Sequence, residues 1–254
     1  MVTIDAVNEV ALRAGEVVLR HYRANDTWVK KKADGSPVTG VDLEAEEIIR
    51  DGLLRLDASM PYVSEERELP AYDVRRAWPR YWLVDPLDGT KEFIGRNGEF
   101  TVNIALIMNG VSVLGVVHAP AKDRTFYGAK DEGAFCFEDG EAHAIAARPA
   151  PTDGVVVVTS RSHGAGEELD AFLSDLKIAS TSHAGSSLKF CLVAAGEADV
   201  YPRFGRTMEW DTAAGQAVLM AAGGRVDTTA GEPLLYGKEG LENPHFIACG
   251  AANP

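Results

Sequence analysis

The sequence predicts an α/β protein whose first half is α+β in character and whose second half alternates strands with helices. Two stretches of helical apolar spacing open the chain. Short apolar runs joined by Asn-Gly and Asp-Gly turns follow. Beyond Ala147-Arg-Pro-Ala-Pro-Thr-Asp-Gly154 the runs alternate between strand-like and helix-like spacing. That Pro- and Gly-containing stretch is the best boundary, giving an N-terminal half over 1–149 and a C-terminal half over 150–254.

Val7, Val10, Ala11, Ala14, Val17 and Val18 recur at helical spacing, with Glu9, Arg13, Glu16 and Arg20 opposite, which predicts an amphipathic first helix. Lys30 to Gly40 reads as a polar loop, and its lysine run as a solvated one. A second helix is expected from Asp42 through Ile48, Ile49, Leu53 and Leu54, with Asp42 as its N-cap. Pro61 to Glu66 reads as a short strand ending in two acids, and Arg67 to Pro79 as an irregular surface loop. Tyr81-Trp-Leu-Val84 is an apolar strand. Thr101–Met108 and Val111–Val117 are two more, joined by Asn109-Gly110, the strongest short hairpin signal. Thr125–Ala129 and Gly133–Phe137 are further strands, with a turn at Asp139-Gly140.

In the second half, strands are expected over Val155–Thr159, Lys177–Thr181, Asp199–Tyr201, Arg225–Asp227 and His245–Cys249. Helices are expected over Glu167–Leu176, Ser187–Ala195 and Thr212–Ala222, the last stopped by Gly223-Gly224.

Composition narrows the function. A 46% hydrophobic fraction and 25% charged residues describe an ordinary globular protein, and the net charge of -13 opposes general nucleic-acid binding. No apolar run approaches the ~18 residues of a membrane span, and no basic segment followed by an apolar one opens the chain as a secretory leader would. Cys136, Cys191 and Cys249 are odd in number and set in apolar runs, which favours a reducing cytoplasm over a disulfide framework. Cys191 reads as a core residue.

The most informative stretch is Asp85-Pro-Leu-Asp-Gly-Thr90. Pro86 holds Asp85 extended and removes a backbone donor. A tight turn can then present both carboxylates and the Leu87 carbonyl to one side, three hard oxygens that suit a hard divalent cation. Gly89 and Thr90 would open a helix, whose free N–H groups attract an anion. Glu65, Glu66 and Asp211 also stand at element ends. Each alone is more simply a cap or turn former, whereas a structural turn has no need of two charged oxygen donors.

These segments carry a resemblance. Asp85-Pro-Leu-Asp-Gly-Thr90, the upstream Ser64-Glu-Glu66 and the downstream Trp210-Asp-Thr-Ala-Ala-Gly215 resemble, in order, the three signatures of the lithium-sensitive, Mg²⁺-dependent phosphatases of the inositol monophosphatase superfamily. Lys91-Glu-Phe93, Arg96 to Leu106, Ser186 to Cys191 and Tyr201 to Asp211 are similar to the bacterial 3'(2'),5'-bisphosphate nucleotidase branch, of the CysQ type. The resemblance implies a layered α-β-α-β-α sandwich of two packed halves and two or three Mg²⁺ ions. It places Glu65, Asp85 and the Leu87 carbonyl on one ion, and Asp85, Asp88 and Asp211 on a second. Thr90 and Glu65 would position the attacking water, and Asp42, in Thr39-Gly-Val-Asp42, would orient Thr90. The phosphate would lie against Gly89, Thr90 and the acids Asp88 and Asp211.

Substrate choice falls to the second half. By the same resemblance Lys189 and Arg203 would pair with a second phosphate, with Ser186 beside them and His163 along a base. Surface cations near a helix are the plainer reading, and for His163 or Arg206 alone the two readings are balanced. An acidic chain does need local positive charge to accept a bisphosphate, which favours Lys189 and Arg203 acting together. The implied enzyme is a phosphoric monoester hydrolase acting on the 3'-phosphate of adenosine 3',5'-bisphosphate, with a place in sulfur metabolism. Inositol monophosphate or fructose 1,6-bisphosphate is the alternative substrate on the same site. The partner is thus a small-molecule phosphate, with no nucleic acid and no integral membrane segment. Monomer and homodimer both stay open, as does contact with the inner face of a membrane.

Overall fold

The computed structural model describes residues 2–24, 29–31, 37–161 and 166–251. The element order is α1 (Ile4–Ala24), β1 (Val29–Lys31), β2 (Pro37–Thr39), α2 (Gly40–Leu56), β3 (Tyr62–Ser64), α3 (Tyr72–Arg75), β4 (Arg80–Asp88) and α4 (Thr90–Ile94). A meander follows: β5 (Thr101–Met108), β6 (Val111–Ala119), β7 (Arg124–Ala129), β8 (Gly133–Glu138) and β9 (Glu141–Ile145). The remainder is β10 (Val155–Ser160), α5 (Glu167–Ser174), β11 (Ile178–Ala184), α6 (Leu188–Ala194), β12 (Val200–Arg203), α7 (Ala213–Ala221), β13 (Arg225–Thr228) and β14 (Phe246–Cys249), with a 3-10 turn at Glu209–Asp211.

Side-chain alternation along the strands builds the layers. On β4, Trp82 and Val84 join Val10, Ala14, Ile49 and Leu53 of α1 and α2 in one core. Tyr81 and Leu83 face the other way, into a core with Phe190 of α6 and Val218 of α7. That middle layer also receives Val158, Tyr201 and Phe246 from the second sheet. On β10, Val155 and Val157 point to the opposite side, where Phe172 and Leu173 of α5 cover them. Helices, sheet, helices, sheet and helix therefore stack in the expected α-β-α-β-α order.

The first sheet has seven strands in the order β3-β4-β5-β6-β7-β8-β9, antiparallel except for the parallel β3–β4 pair. The second has five, β11-β10-β12-β14-β13, parallel at one edge and antiparallel at the other. Asn109 and Gly110 take φ of 49° and 79°, the left-handed pair of a tight hairpin turn. Among the described residues the three cysteines are buried and unpaired.

Several expectations need correction. The polar stretch 30–40 contains a two-stranded ribbon, with Val29 opposite Thr39, while residues 32–36 lie outside the described set. Asp42 is not an N-cap: α2 begins at Gly40, so Asp42 sits inside its first turn and is 2% exposed. The segment after Arg67 is not loose. It holds α3, and Arg75 is buried with its guanidinium donating to the carbonyls of Pro70, Lys238 and Glu239. The Asp139-Gly140 turn leads into a further strand, β9, whose exposed side chains hide it from a hydrophobicity reading. β11 runs on to Ala184, and α4 is a helix of only five residues.

Candidate active site

The site forms where β4 runs out of regular pairing. Asp85 lies opposite Asn103 and Asp88 opposite Thr101, so the β4 side carries one extra residue, and Pro86, which has no N–H to give, is accommodated there. The Leu87 N–H donates to Asp85 Oδ1 at 3.0 Å, folding the chain back on its own carboxylate. Gly89 then takes φ of 85°, and a Cβ there would meet the Glu99 carbonyl at 3.2 Å. The Thr90 hydroxyl donates to Leu87 O at 3.3 Å, tying the start of α4 to the turn.

Asp211 arrives from the other sheet's side on the Glu209–Asp211 turn. The Met208 N–H donates to its Oδ2 at 2.9 Å. The neighbouring Glu209, fully buried, accepts the Gly237 and Lys238 N–H groups at 2.8 and 2.9 Å, which anchors that turn. Ser187 joins the two parts. Its N–H donates to Asp88 Oδ2 at 2.8 Å and its hydroxyl to the Asp211 carbonyl at 2.6 Å. Asn103 Nδ2 donates to Ser187 Oγ at 3.0 Å and to Asp88 Oδ2 at 3.3 Å.

As a result Asp85, Asp88 and Asp211 each bring a carboxylate oxygen within 4.8 Å of the others. Crowding and burial penalise their charge. Burial, then Glu65, Asp88 and Asp211, push Asp85 well above the usual carboxylate range. Asp88 is pushed up to about 6, chiefly by burial, with Lys189 and the Ser187 N–H opposing. Burial and Asp88 raise Asp211 in the same way. A cluster of hard oxygens short of positive charge fits a hard divalent cation.

These acids line a cavity of about 270 Å³ with Glu65, Leu87, Gly89, Thr90, Ser186, Lys189 and Arg203. The residues predicted from both halves are thus brought together. Lys189 is 4% exposed, and its ammonium donates to the carbonyls of Ser186 at 2.5 Å and Ala184 at 3.3 Å. Burial lowers its pKa to about 8, against the pull of Asp88. Arg203 is 9% exposed; its Nη2 donates to Arg206 O, while its Nε is buried without a hydrogen-bond partner among the described residues. Arg206 lines the cavity too and pairs with Glu242. Ser186 adopts φ of 46°, and its buried hydroxyl has no hydrogen-bond partner among the described residues.

Asp42 is not part of the described cavity lining, and His163 lies outside the described residues. Sequence reasoning missed Asn103, Ser187, Glu92 and Tyr201. Asn103 had a signal: a lone amide within the apolar run Thr101-Val-Asn-Ile-Ala105. Ser187 had none, because its main-chain N–H and its hydroxyl act on partners far away in the chain.

The profile of the inositol monophosphatase family matches residues 2–249 of the chain. The chain is 50% identical over 245 residues to a 3'(2'),5'-bisphosphate nucleotidase CysQ of Escherichia coli O157:H7, covering 96% of this chain and 98% of that one. The solved structure of CysQ from Bacteroides thetaiotaomicron superposes with a TM-score of 0.84 at 41% identity, covering 98% and 97% of the two chains. An inositol monophosphatase from Anabaena superposes with a TM-score of 0.76 at 26% identity, covering 98% and 90%.

Proposed function

The chain belongs to the inositol monophosphatase family, and on that premise we propose that it is a 3'(2'),5'-bisphosphate nucleotidase. It removes the 3'-phosphate of adenosine 3',5'-bisphosphate, giving AMP and phosphate. The observation that supports this most directly is the acidic cluster of Asp85, Asp88 and Asp211 in one cavity with Lys189 and Arg203. Acids that can hold a cation and basic side chains that can hold an anion, lining one cavity, suit a substrate with two phosphates, one reacting and one held.

In this reading Glu65, Asp85, Asp88, Asp211 and the Leu87 carbonyl hold Mg²⁺, two or three ions in all. When bound, the ions neutralise the phosphoryl oxygens and acidify water. Thr90 and Glu65 position the attacking water, and the Glu65 carboxylate is the group that can accept its proton. Asp42 supports Thr90 from α2. The Gly89 and Thr90 N–H groups face the reacting phosphate. The bond from water oxygen to phosphorus forms as the bond to the 3'-oxygen breaks, and the 3'-oxygen takes up a proton from solvent, balancing the one given up by the attacking water. Lys189 and Arg203 pair with the 5'-phosphate, with Ser186 and His163 towards the nucleoside. Inhibition by Li⁺ and action on the 3'-phosphorylated sulfate donor belong to the same reading.

The test is a parallel assay with Mg²⁺ of adenosine 3',5'-bisphosphate, inositol 1-phosphate and fructose 1,6-bisphosphate. Preferred turnover of the nucleotide is expected. Turnover of inositol 1-phosphate well above it would reject the assignment.

A further inference from the structure

Glu65 stands in a four-residue turn that its own main chain only half determines. The Arg67 N–H donates to Ser64 O at 3.4 Å and closes the turn. The Glu65 N–H donates to Val84 O at 3.2 Å, which continues the parallel pairing of β3 with β4 and brings Glu65 next to the strand that presents Asp85. Among the described residues, the buried contact that fastens the turn to α2 is one carboxylate.

Glu46, on α2, is 2% exposed. Its Oε2 accepts the Ser64 hydroxyl at 2.7 Å and the Tyr62 hydroxyl at 2.9 Å. Its Oε1 accepts the Arg67 Nε, and the other prong of Arg67 reaches the exposed Glu47. Residues on both sides of Glu65 are therefore fastened to one side chain. A carboxylate is costly to bury, and here it is satisfied by three donors that converge on the turn. The pairing also occupies the Arg67 guanidinium, the cation two residues from Glu65. Without Glu46 that guanidinium would be available to compete for the Glu65 carboxylate.

We infer that Glu46 is a positioning residue that fixes the Glu65 turn and so sets the Mg²⁺ affinity of the protein, acting through Ser64 and Arg67. It is not part of the described cavity lining. This inference rests on the metal role proposed for Glu65. It does not follow from the acids Asp85, Asp88 and Asp211, which are held by β4 and Ser187.

The full-length protein, stripped with a chelator, is titrated with Mg²⁺ by calorimetry as wild type, Glu46→Gln and Glu47→Gln, with melting curves in chelator alongside. Glu46→Gln is expected to bind Mg²⁺ about tenfold more weakly or worse, the usual range for losing an outer-shell partner of a ligand, with its metal-free melting temperature within a few degrees of wild type. Glu47→Gln, which loses only the exposed contact, is expected to bind within about twofold of wild type. A folded Glu46→Gln protein with wild-type affinity overturns the inference. If that variant does not fold, Ser64→Ala decides. Weaker Mg²⁺ binding supports the inference, and unchanged binding overturns it. Wild-type protein that binds no Mg²⁺ would overturn the metal reading of the site, and with it this inference.

Discussion

The main-chain N–H of Ser187 donates to Asp88 Oδ2 at 2.8 Å, joining residues 99 positions apart in the chain. Through that bond and the Ser187 hydroxyl on the Asp211 main-chain carbonyl, the residue before α6 ties Asp88 of β4 to the Glu209–Asp211 turn that carries the third carboxylate. The acids do not attract one another. They are held together by neutral donors whose own positions are set by packed elements.

Ser187→Ala keeps the N–H but removes the hydroxyl that links Asn103 to Asp211. Activity with saturating Mg²⁺ is expected to fall by about tenfold. The cost in stability should be about 1 to 2 kcal/mol, the value of a buried hydrogen bond with a partner left unpaired. Steady-state rates and urea midpoints check both.

Asp88→Asn should lower hydrolysis by at least about a hundredfold, because it removes a charged oxygen from the centre of the proposed cation site. The metal-free protein should melt no lower than wild type, since one of three mutually repelling carboxylates is gone. Rates and melting curves in chelator are the measurements. Full activity in this variant would refute the metal assignment.

Beside the cavity, Arg203 Nε is buried and lacks a hydrogen-bond partner among the described residues. Arg203→Ala should raise KM for adenosine 3',5'-bisphosphate about tenfold or more, the scale of a charge-assisted hydrogen bond. KM for adenosine 3'-monophosphate, which has no second phosphate, should move less than about twofold. Equal changes in both would place Arg203 outside the distal-phosphate site.

His118 supplies a pH test away from the site. It is 6% exposed, bonded through Nδ1 to the Thr125 hydroxyl at 2.8 Å, with its ring where a Gly15 Cβ would intrude at 2.2 Å. Burial pushes its pKa down to about 4, with the Arg124 main chain and nearby Asp123 opposing. The unfolded chain, near ~6.5, binds the proton more tightly. Its contribution is therefore complete above ~6.5 and is lost as pH falls through about 4, by an amount on the order of 3 kcal/mol. His118→Gln should flatten that part of the acid limb in urea unfolding measured from about pH 7 to about pH 4. An unchanged slope would show that His118 does not govern it.

Local chemistry made much of this protein legible from its sequence. Asp85-Pro-Leu-Asp-Gly-Thr90 made the candidate site legible, because a proline, a glycine and two carboxylates at that spacing specify a turn with oxygen donors. Short apolar runs and the Asn109-Gly110 turn made the strands of the first sheet legible in the same way, up to β8. Tertiary structure decided the rest. It moved Asp42 from a cap into the buried first turn of α2, where packing outweighs capping preference. It found β9, which buries too little to be read from hydrophobicity. It also assigned Ser187, Asn103 and Glu46 their partners, since a hydrogen bond between distant residues leaves no periodic trace in a sequence. The turn at Asp85 could announce its chemistry alone, but its geometry depends on donors that only the packing of two sheets brings within reach.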